Sequence, residues 1–181
     1  FGDVVPIFNV IDPVAKYIGL ESGYTKVGVI GTRATVSSKT YTNKIQELNA
    51  PVEVFSLTTP LLVPIIEEGL SSTSISSSAL RHYLSDDILK NIEALILGCT
   101  HYPHIQDEIE QLKRNSITLI DSPEIVSKKL KEVLGALSLL NSSSEPGTYS
   151  FYVSDYTVVF EQIAQLMFGK NIHLQEQNIW K

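Results

Sequence analysis

Segments with the pattern of strands and segments with the pattern of helices alternate along the whole of this 181-residue chain. Short apolar runs at residues 26–30 and 52–57 are typical of buried strands. Helical spacing of apolar residues lies between them, as at Tyr41, Ile45 and Leu48. This alternation predicts an α/β fold in which helices flank a largely parallel sheet.

Composition excludes several classes of function. The chain has 14 basic and 20 acidic side chains, a net charge of −6, and its Lys and Arg residues form no cluster. This balance argues against a nucleic acid or an anionic membrane surface as the main partner and leaves a small-molecule ligand. The single cysteine cannot form an internal disulfide, and no apolar run approaches the roughly 18 residues of a membrane span. We therefore expect a cytoplasmic protein.

Small polar residues follow the predicted strands. Ligands of parallel α/β sheets bind beyond the carboxyl ends of the strands, where helices begin. Five such ends carry polar side chains: Gly31-Thr32, Thr58-Thr59, Cys99-Thr100-His101, Asp121-Ser122 and Ser154-Asp155. Their hydroxyl and N–H groups suit a carboxylate, and Glu67, in a later helix, could receive an ammonium group. The alternative is that these residues cap helices, which we prefer for Asp121, Ser122 and Asp155.

Cys99 lies where the strand-like residues 94–97 meet the polar segment 98–103 (GCTHYP). Helical spacing resumes at Ile105, Ile109 and Leu112, which places Cys99 on a strand-to-helix turn. The start of a helix favours a thiolate, and His101 could relay a proton to or from it. The alternative is that a lone cysteine is a small buried apolar side chain.

Other patterns are absent or point only to structure. The chain has no glycine-rich nucleotide loop and no serine-hydrolase elbow, and its four scattered histidines do not have the spacing of metal ligands. We therefore predict neither a cofactor nor a metal. Residues 4–10 are predicted to form a first strand, and the serine-rich residues 71–78 a solvated connection.

Residues 96–103 (ILGCTHYP) closely resemble the second cysteine motif of the glutamate racemases, cofactor-independent isomerases that supply D-glutamate for peptidoglycan and so for cell-wall biogenesis and cell shape. Segments matching other motifs of that family follow in the same order: residues 10–13, 28–36, 62–67, 120–122 and 151–155. The Cys-Thr-His motif is the specific part, because aspartate racemases of the wider superfamily differ there and typically have glutamate after the threonine.

The resemblance implies a fold of two α/β lobes. Residues 1–12 would end the N-terminal segment of the first lobe, residues 13–120 would form the second lobe, and residues 121–181 would return into the first. The family's N-terminal segment, with its Asp-Ser-Gly motif and its first catalytic cysteine in a Cys-Asn-Thr motif, has no counterpart before Phe1. We therefore expect an incomplete first lobe here and a homodimer when the protein is complete.

The resemblance also implies roles for individual residues. In the family one cysteine thiolate removes the α-proton of glutamate, and a second thiol delivers a proton to the opposite face. By this resemblance Cys99 is one acid/base and His101 its proton partner, while the substrate contacts are Thr100, His101, Thr32, Thr35 and Glu67. The chain alone would then be inactive. Two alternatives stay open: a single-thiol enzyme related to the decarboxylases of the superfamily, and a non-catalytic module that binds carboxylates.

Overall fold

The computed structural model describes residues 6–143, 145, 147–169 and 171–179. Within them, four strands form a fully parallel sheet with the order β2-β1-β3-β4. The strands are Lys26–Gly31 (β1), Glu53–Thr58 (β2), Ala94–Leu97 (β3) and Thr118–Ile120 (β4). The α-helices are Asp12–Lys16 (α1), Arg33–Ser37 (α2), Thr40–Glu47 (α3), Leu62–Glu67 (α4), Ser74–Leu84 (α5), Gln106–Leu112 (α6), Ser122–Ala136 (α7) and Val158–Phe168 (α8). The predicted α/β fold with a parallel sheet is confirmed.

The strand order reverses at the centre of the sheet. From β1 the chain first adds β2 on one side, and then returns to add β3 on the other side. Ile30 pairs with Leu97, so the carboxyl ends of β1 and β3 lie next to each other. A reversal of this kind opens a crevice between the two strand ends, where α/β proteins bind their ligands.

Apolar side chains cover both faces of the sheet, which explains why β1 and β3 read as continuous apolar runs. One layer joins Ile30, Leu95 and Leu97 to apolar residues of α4, α5 and α6. The other joins the alternate positions Val29 and Ile96 to α1 and α3. Packing on both faces holds β1 and β3 in place, and the residues that follow these strands therefore begin from fixed positions.

The serine-rich segment 71–78 is helical from Ser74 onward, so its prediction as a solvated connection was wrong for residues 74–78. Thr73 and Ser76 form a capping box at the start of α5. Glu108 of α6 accepts hydrogen bonds from the backbone N–H of Ser72 (2.8 Å) and from the hydroxyl of Ser76 (2.5 Å). The Thr73 side chain accepts from N–H groups of the first turn, and Glu108 binds the residue before the cap and the Ser76 hydroxyl, so these groups need no water.

The predicted strand at residues 4–10 was also wrong over residues 6–10, which form no strand; residues 4 and 5 lie outside the described part. Pro6 has no N–H to give to a sheet. The side-chain oxygen of Asn9 accepts hydrogen bonds from the backbone N–H groups of Ile11 and Asp12, which starts α1 instead.

The C-terminal part has a small sheet of its own. Strands Phe151–Val153 (β5) and Leu174–Glu176 (β6) precede and follow α8 in the chain and pair with each other in parallel. Several apolar side chains of α8 stay exposed, Val158 and Phe160 among them. The sequence spacing predicts Phe160, Ile163, Ala164 and Met167 on one face of this helix; the side chain of Met167 lies outside the described residues. None of the helices in the described ranges combines the length and the apolar character that crossing a membrane requires.

Candidate active site

Cys99 lies on the turn that leaves β3, as the sequence predicts. The backbone N–H of Gly98 donates to the carbonyl of Ile30 at 2.8 Å, which attaches the end of β3 to β1. The carbonyl of Cys99 then accepts from the N–H of Tyr102 at 3.1 Å, where a single 3₁₀ turn begins. Cys99 is partly buried between these two attachments.

Three of the predicted site residues form a row. The Cys99 Sγ atom lies 3.8 Å from Nδ1 of His101, and Nε2 of His101 lies 3.2 Å from Oε1 of Glu67. Glu67 is the last residue of α4, so two segments of the chain meet at the imidazole. The imidazole can therefore take a proton from the thiol at one nitrogen while the carboxylate holds the other nitrogen.

Burial raises the pKa of the Cys99 thiol above its usual 9.0, and the charge of Glu67 raises it further; the backbone N–H of His101 acts in the opposite direction. The backbone N–H of His101 thus favours the thiolate, as the position of Cys99 on the turn predicts, but burial of the thiol outweighs this effect. Near neutral pH the thiol is the main form, so a neighbouring base must accept its proton before the sulfur can act as a base.

Thr32 and Thr35 lie beyond β1, opposite Cys99. The hydroxyl of Thr32 caps α2 by accepting from the N–H of Thr35 at 3.3 Å, and the two hydroxyl oxygens are 3.1 Å apart. Both threonines line a cavity of about 670 Å³ together with Cys99 and Thr100. Ser122 and Val126 of α7 contribute to the wall of the same cavity. The cavity is the crevice at which the strand order reverses.

The structure therefore divides the predicted residues into two groups. Thr32, Thr35, Cys99 and Thr100 line the cavity, whereas His101 and Glu67 are not among its lining residues and contact the thiol through the imidazole. No three His, Cys, Asp or Glu side chains in the described ranges come close enough to hold a metal ion.

Sequence reasoning did not identify Tyr41 as a residue of the cavity wall. Tyr41 of α3 lines the cavity although it is buried, and burial together with the charge of Cys99 raises its pKa to about 12. It is therefore a neutral phenol in the same wall as the thiol. Its spacing with Ile45 identified it only as a core residue, because periodicity does not show where a hydroxyl points.

The structure is thus that of an α/β protein in which a thiol contacts an imidazole–carboxylate pair and lies across a crevice from threonine hydroxyls, an arrangement suited to proton transfer with a small ligand. Residues 3–130 match the family described as Asp/Glu/Hydantoin racemase. The chain belongs to this family.

Individual proteins of this family are similar to the chain in sequence and in structure. A glutamate racemase of Chlorobaculum tepidum is 36% identical over 168 residues, which are 93% of this chain and 62% of that protein. The crystal structure of glutamate racemase from Francisella tularensis in complex with D-glutamate superposes with a TM-score of 0.83 at 36% identity, over 96% of this chain and 64% of that one. The crystal structure of glutamate racemase from Thermus thermophilus in complex with β-chloro-D-alanine superposes with a TM-score of 0.81 at 32% identity, over 97% of this chain and 64% of that one.

The resemblance to glutamate racemases that the sequence motifs indicate is thus confirmed. The chain spans less than two thirds of the length of these relatives.

Proposed function

We propose that the protein to which this chain belongs interconverts L-glutamate and D-glutamate by proton transfer, without a cofactor, and that Cys99 is one of its acid/base groups. The observation that carries this proposal is the row of Cys99, His101 and Glu67 beside a cavity lined by threonine hydroxyls. The relatives that match most of the chain are glutamate racemases, which supports the choice of substrate. Supply of D-glutamate for the cell wall, in the cytoplasm, follows as part of the same proposal.

Removal of the α-proton of glutamate requires a thiolate base, and the contacts among Cys99, His101 and Glu67 provide a way to form it. The α-proton of an amino acid is very weakly acidic, so the base must be held against the α-carbon in a site that stabilises the carbanion. His101 accepts the thiol proton at Nδ1, and the Cys99 thiolate then removes the α-proton of one enantiomer. Glu67 stabilises the imidazolium that results, because its carboxylate lies 3.2 Å from Nε2. This role differs from the contact with the substrate ammonium that the sequence led us to expect, and both remain open to test.

Hydroxyl groups that line the cavity complete the proton-transfer step. As the α-proton leaves, negative charge moves from the α-carbon into the α-carboxylate of the substrate. Donors that already point into the cavity stabilise this charge without reorganising. Thr32, Thr35 and Thr100 are the residues that we propose for this contact, and the neutral phenol of Tyr41 adds a donor to the same wall.

Racemisation needs a second acid/base on the opposite face of the carbanion. The chain contains one cysteine, and Cys99 cannot reach both faces of a bound substrate. We propose that the second thiol comes from polypeptide outside these 181 residues, in a two-lobed protein in which residues 13–120 form one lobe and residues 121–181 belong to the other. The separate β5–β6 sheet and the exposed apolar side chains of α8 support this division. A homodimer remains our expectation for the whole protein.

The test uses the full-length protein with Cys99→Ser, and Thr118→Ser on an exposed strand position as the matched control. We expect the Cys99 variant to lose racemisation while its circular dichroism spectrum is unchanged, because a serine hydroxyl is far too weak an acid to supply a base near neutral pH. In D₂O it should still exchange the α-proton of one enantiomer through the second thiol. Turnover near that of the parent would contradict the assignment.

The same assay separates the alternatives. We expect the 181-residue chain alone to be inactive toward both enantiomers, because it carries one thiol. Racemisation by the isolated chain would contradict the two-thiol mechanism. Release of carbon dioxide from an arylmalonate by the full-length protein, without racemisation, would favour a single-thiol decarboxylase. Binding of glutamate with neither reaction would favour a carboxylate-binding module.

A further inference from the structure

Two fully buried side chains connect the end of β2 to the turn that carries Cys99. The hydroxyl of Tyr102 lies 2.6 Å from Oγ1 of Thr59 and 3.3 Å from the Thr59 carbonyl. Neither residue has any solvent exposure, and neither lines the cavity. Thr59 is the only fully buried threonine among the described residues.

Each of the two hydroxyls has one proton and two oxygen atoms within reach. Oγ1 of Thr59 also lies 3.2 Å from the carbonyl of Gly31, and the Tyr102 hydroxyl also lies against the Thr59 carbonyl, so either hydroxyl can be the donor in the 2.6 Å bond between them. The backbone N–H of Thr59 donates to the same Gly31 carbonyl at 2.9 Å. One connected set of bonds therefore runs from Tyr102 through Thr59 to the last residue of β1.

This set of bonds lies beside both halves of the site. Gly31 immediately precedes Thr32 of the cavity wall, and Tyr102 immediately follows His101. The turn between Gly98 and Tyr102 is thus attached at its start by the Gly98–Ile30 bond and at its end by the Tyr102 hydroxyl.

We propose that Tyr102 and Thr59 are positioning residues, whose hydrogen bond sets the distance between the Cys99–His101 turn and the threonines that follow β1. The effect on rate rests on the proposed racemisation, whereas the effect on the thiol does not. The backbone N–H of His101 lowers the pKa of Cys99, and this contact depends on the turn keeping its shape. Loosening the turn should therefore change the chemistry of the sulfur as well as the geometry of the site.

The experiment compares Tyr102→Phe, Thr59→Val and the double variant with Tyr83→Phe as the matched control. Tyr83 is a second buried tyrosine of the same apolar layer, and its hydroxyl accepts from the N–H of Leu61 at 3.3 Å. Tyr83→Phe removes the partner of the partly buried Leu61 N–H, and Tyr102→Phe removes one partner of the buried Thr59 hydroxyl, so each variant loses one hydrogen bond made by a buried tyrosine. Only Tyr102 is attached to the catalytic turn.

In the full-length protein we expect Tyr102→Phe to lower kcat about tenfold with KM within about twofold, because a displaced acid/base loses rate more than binding. Thr59→Val should do the same, the double variant should be no slower than either single variant, and Thr59→Ser should restore kcat. Tyr83→Phe should leave kcat unchanged. Equal losses in Tyr102→Phe and Tyr83→Phe, or additive losses in the double variant, would overturn the proposal.

Alkylation of Cys99 by iodoacetamide gives a readout that does not need racemisation. We expect the midpoint of its pH profile to shift in Tyr102→Phe, because the burial of the thiol and its contact with the His101 N–H both depend on the turn, and to stay unchanged in Tyr83→Phe. An unchanged midpoint in Tyr102→Phe would overturn the positioning role. If the parent protein lacks racemase activity while the alkylation midpoint shifts as expected, the proposed function fails and the positioning of the turn stands.

Discussion

Gly98 is the residue at which the structure allows least change next to the site. A Cβ atom added there would lie 2.9 Å from the carbonyl oxygen of Ile30, 3.1 Å from Cγ1 of Val29 and 3.3 Å from Cγ2 of Thr35. The nearest of these atoms belongs to the backbone, and it accepts the 2.8 Å hydrogen bond from the N–H of Gly98 itself. Gly98→Ala therefore forces the ends of β1 and β3 apart.

Excess volume in a well-packed interior costs about 1–3 kcal/mol. The folding equilibrium constant of Gly98→Ala should accordingly fall about 5- to 150-fold, at about 1.4 kcal/mol per factor of ten. Gly135→Ala is the matched control, because its Cβ would meet only Cδ1 of Leu140, at an ordinary 3.4 Å. Gly135 lies in α7, where alanine should instead stabilise by about 0.5–1 kcal/mol.

Urea denaturation followed by circular dichroism at 222 nm measures both changes. We expect the midpoint of Gly98→Ala to fall with an unchanged slope, and the midpoint of Gly135→Ala to stay or rise. The Gly98 variant should also lose the contact between Cys99 and His101, which alkylation of the thiol would report. A midpoint for Gly98→Ala equal to that of the parent would show that β1 and β3 can separate at no cost, and the reasoning from their close approach would be wrong.

Two further predictions concern pH. Glu67→Gln removes a charge that raises the pKa of Cys99, so the midpoint of the alkylation profile should move to lower pH. Glu68→Gln, at the next residue, is the control. An upward shift in Glu67→Gln would contradict the contacts among Cys99, His101 and Glu67. A side-chain hydrogen bond from Asn9 is the largest cause that lowers the pKa of Asp12 below 3.8. The ionised Asp12 carboxylate therefore stabilises the fold fully above its unfolded pKa, and this contribution is lost as pH falls through the lower folded pKa. We expect the free energy of unfolding of Asp12→Asn, measured by urea titrations between about pH 2 and 5, to fall less steeply with decreasing pH than that of the parent.

Much of the sheet could be predicted from sequence because its strands are buried on both faces. Continuous apolar runs identified β1 and β3, and the polar residues that follow them marked the cavity edge. The helical start of α5 could not be found in this way. Its serines are stabilised by Glu108, which lies 32 residues beyond Ser76 in the chain, and no local pattern shows such a contact.

In the site, too, some features follow from local sequence pattern and others depend on contacts between distant segments. The position of Cys99 on its turn follows from local pattern, whereas the pKa of its thiol depends on burial by distant segments. The partner of Glu67 likewise depends on how α4 packs against the turn after β3. The Tyr102–Thr59 bond joins residues 43 positions apart. The sequence placed Thr59 among the polar strand ends that face a ligand, whereas the structure buries it outside the cavity against Tyr102.

The central pairing of β1 with β3 has a consequence for the kinetics of folding. The bond between Thr59 and Gly31 closes a loop of 28 residues, but the bonds from Thr25 to Glu93 at the other end of the sheet close one of 68. Longer closures cost more entropy, and contacts between distant segments slow folding. β1 and β2 can therefore meet first, while the crevice forms only when β3 arrives. An intermediate that holds β1 and β2 alone has no ligand site, so a ligand that binds the crevice would slow unfolding without speeding that first step.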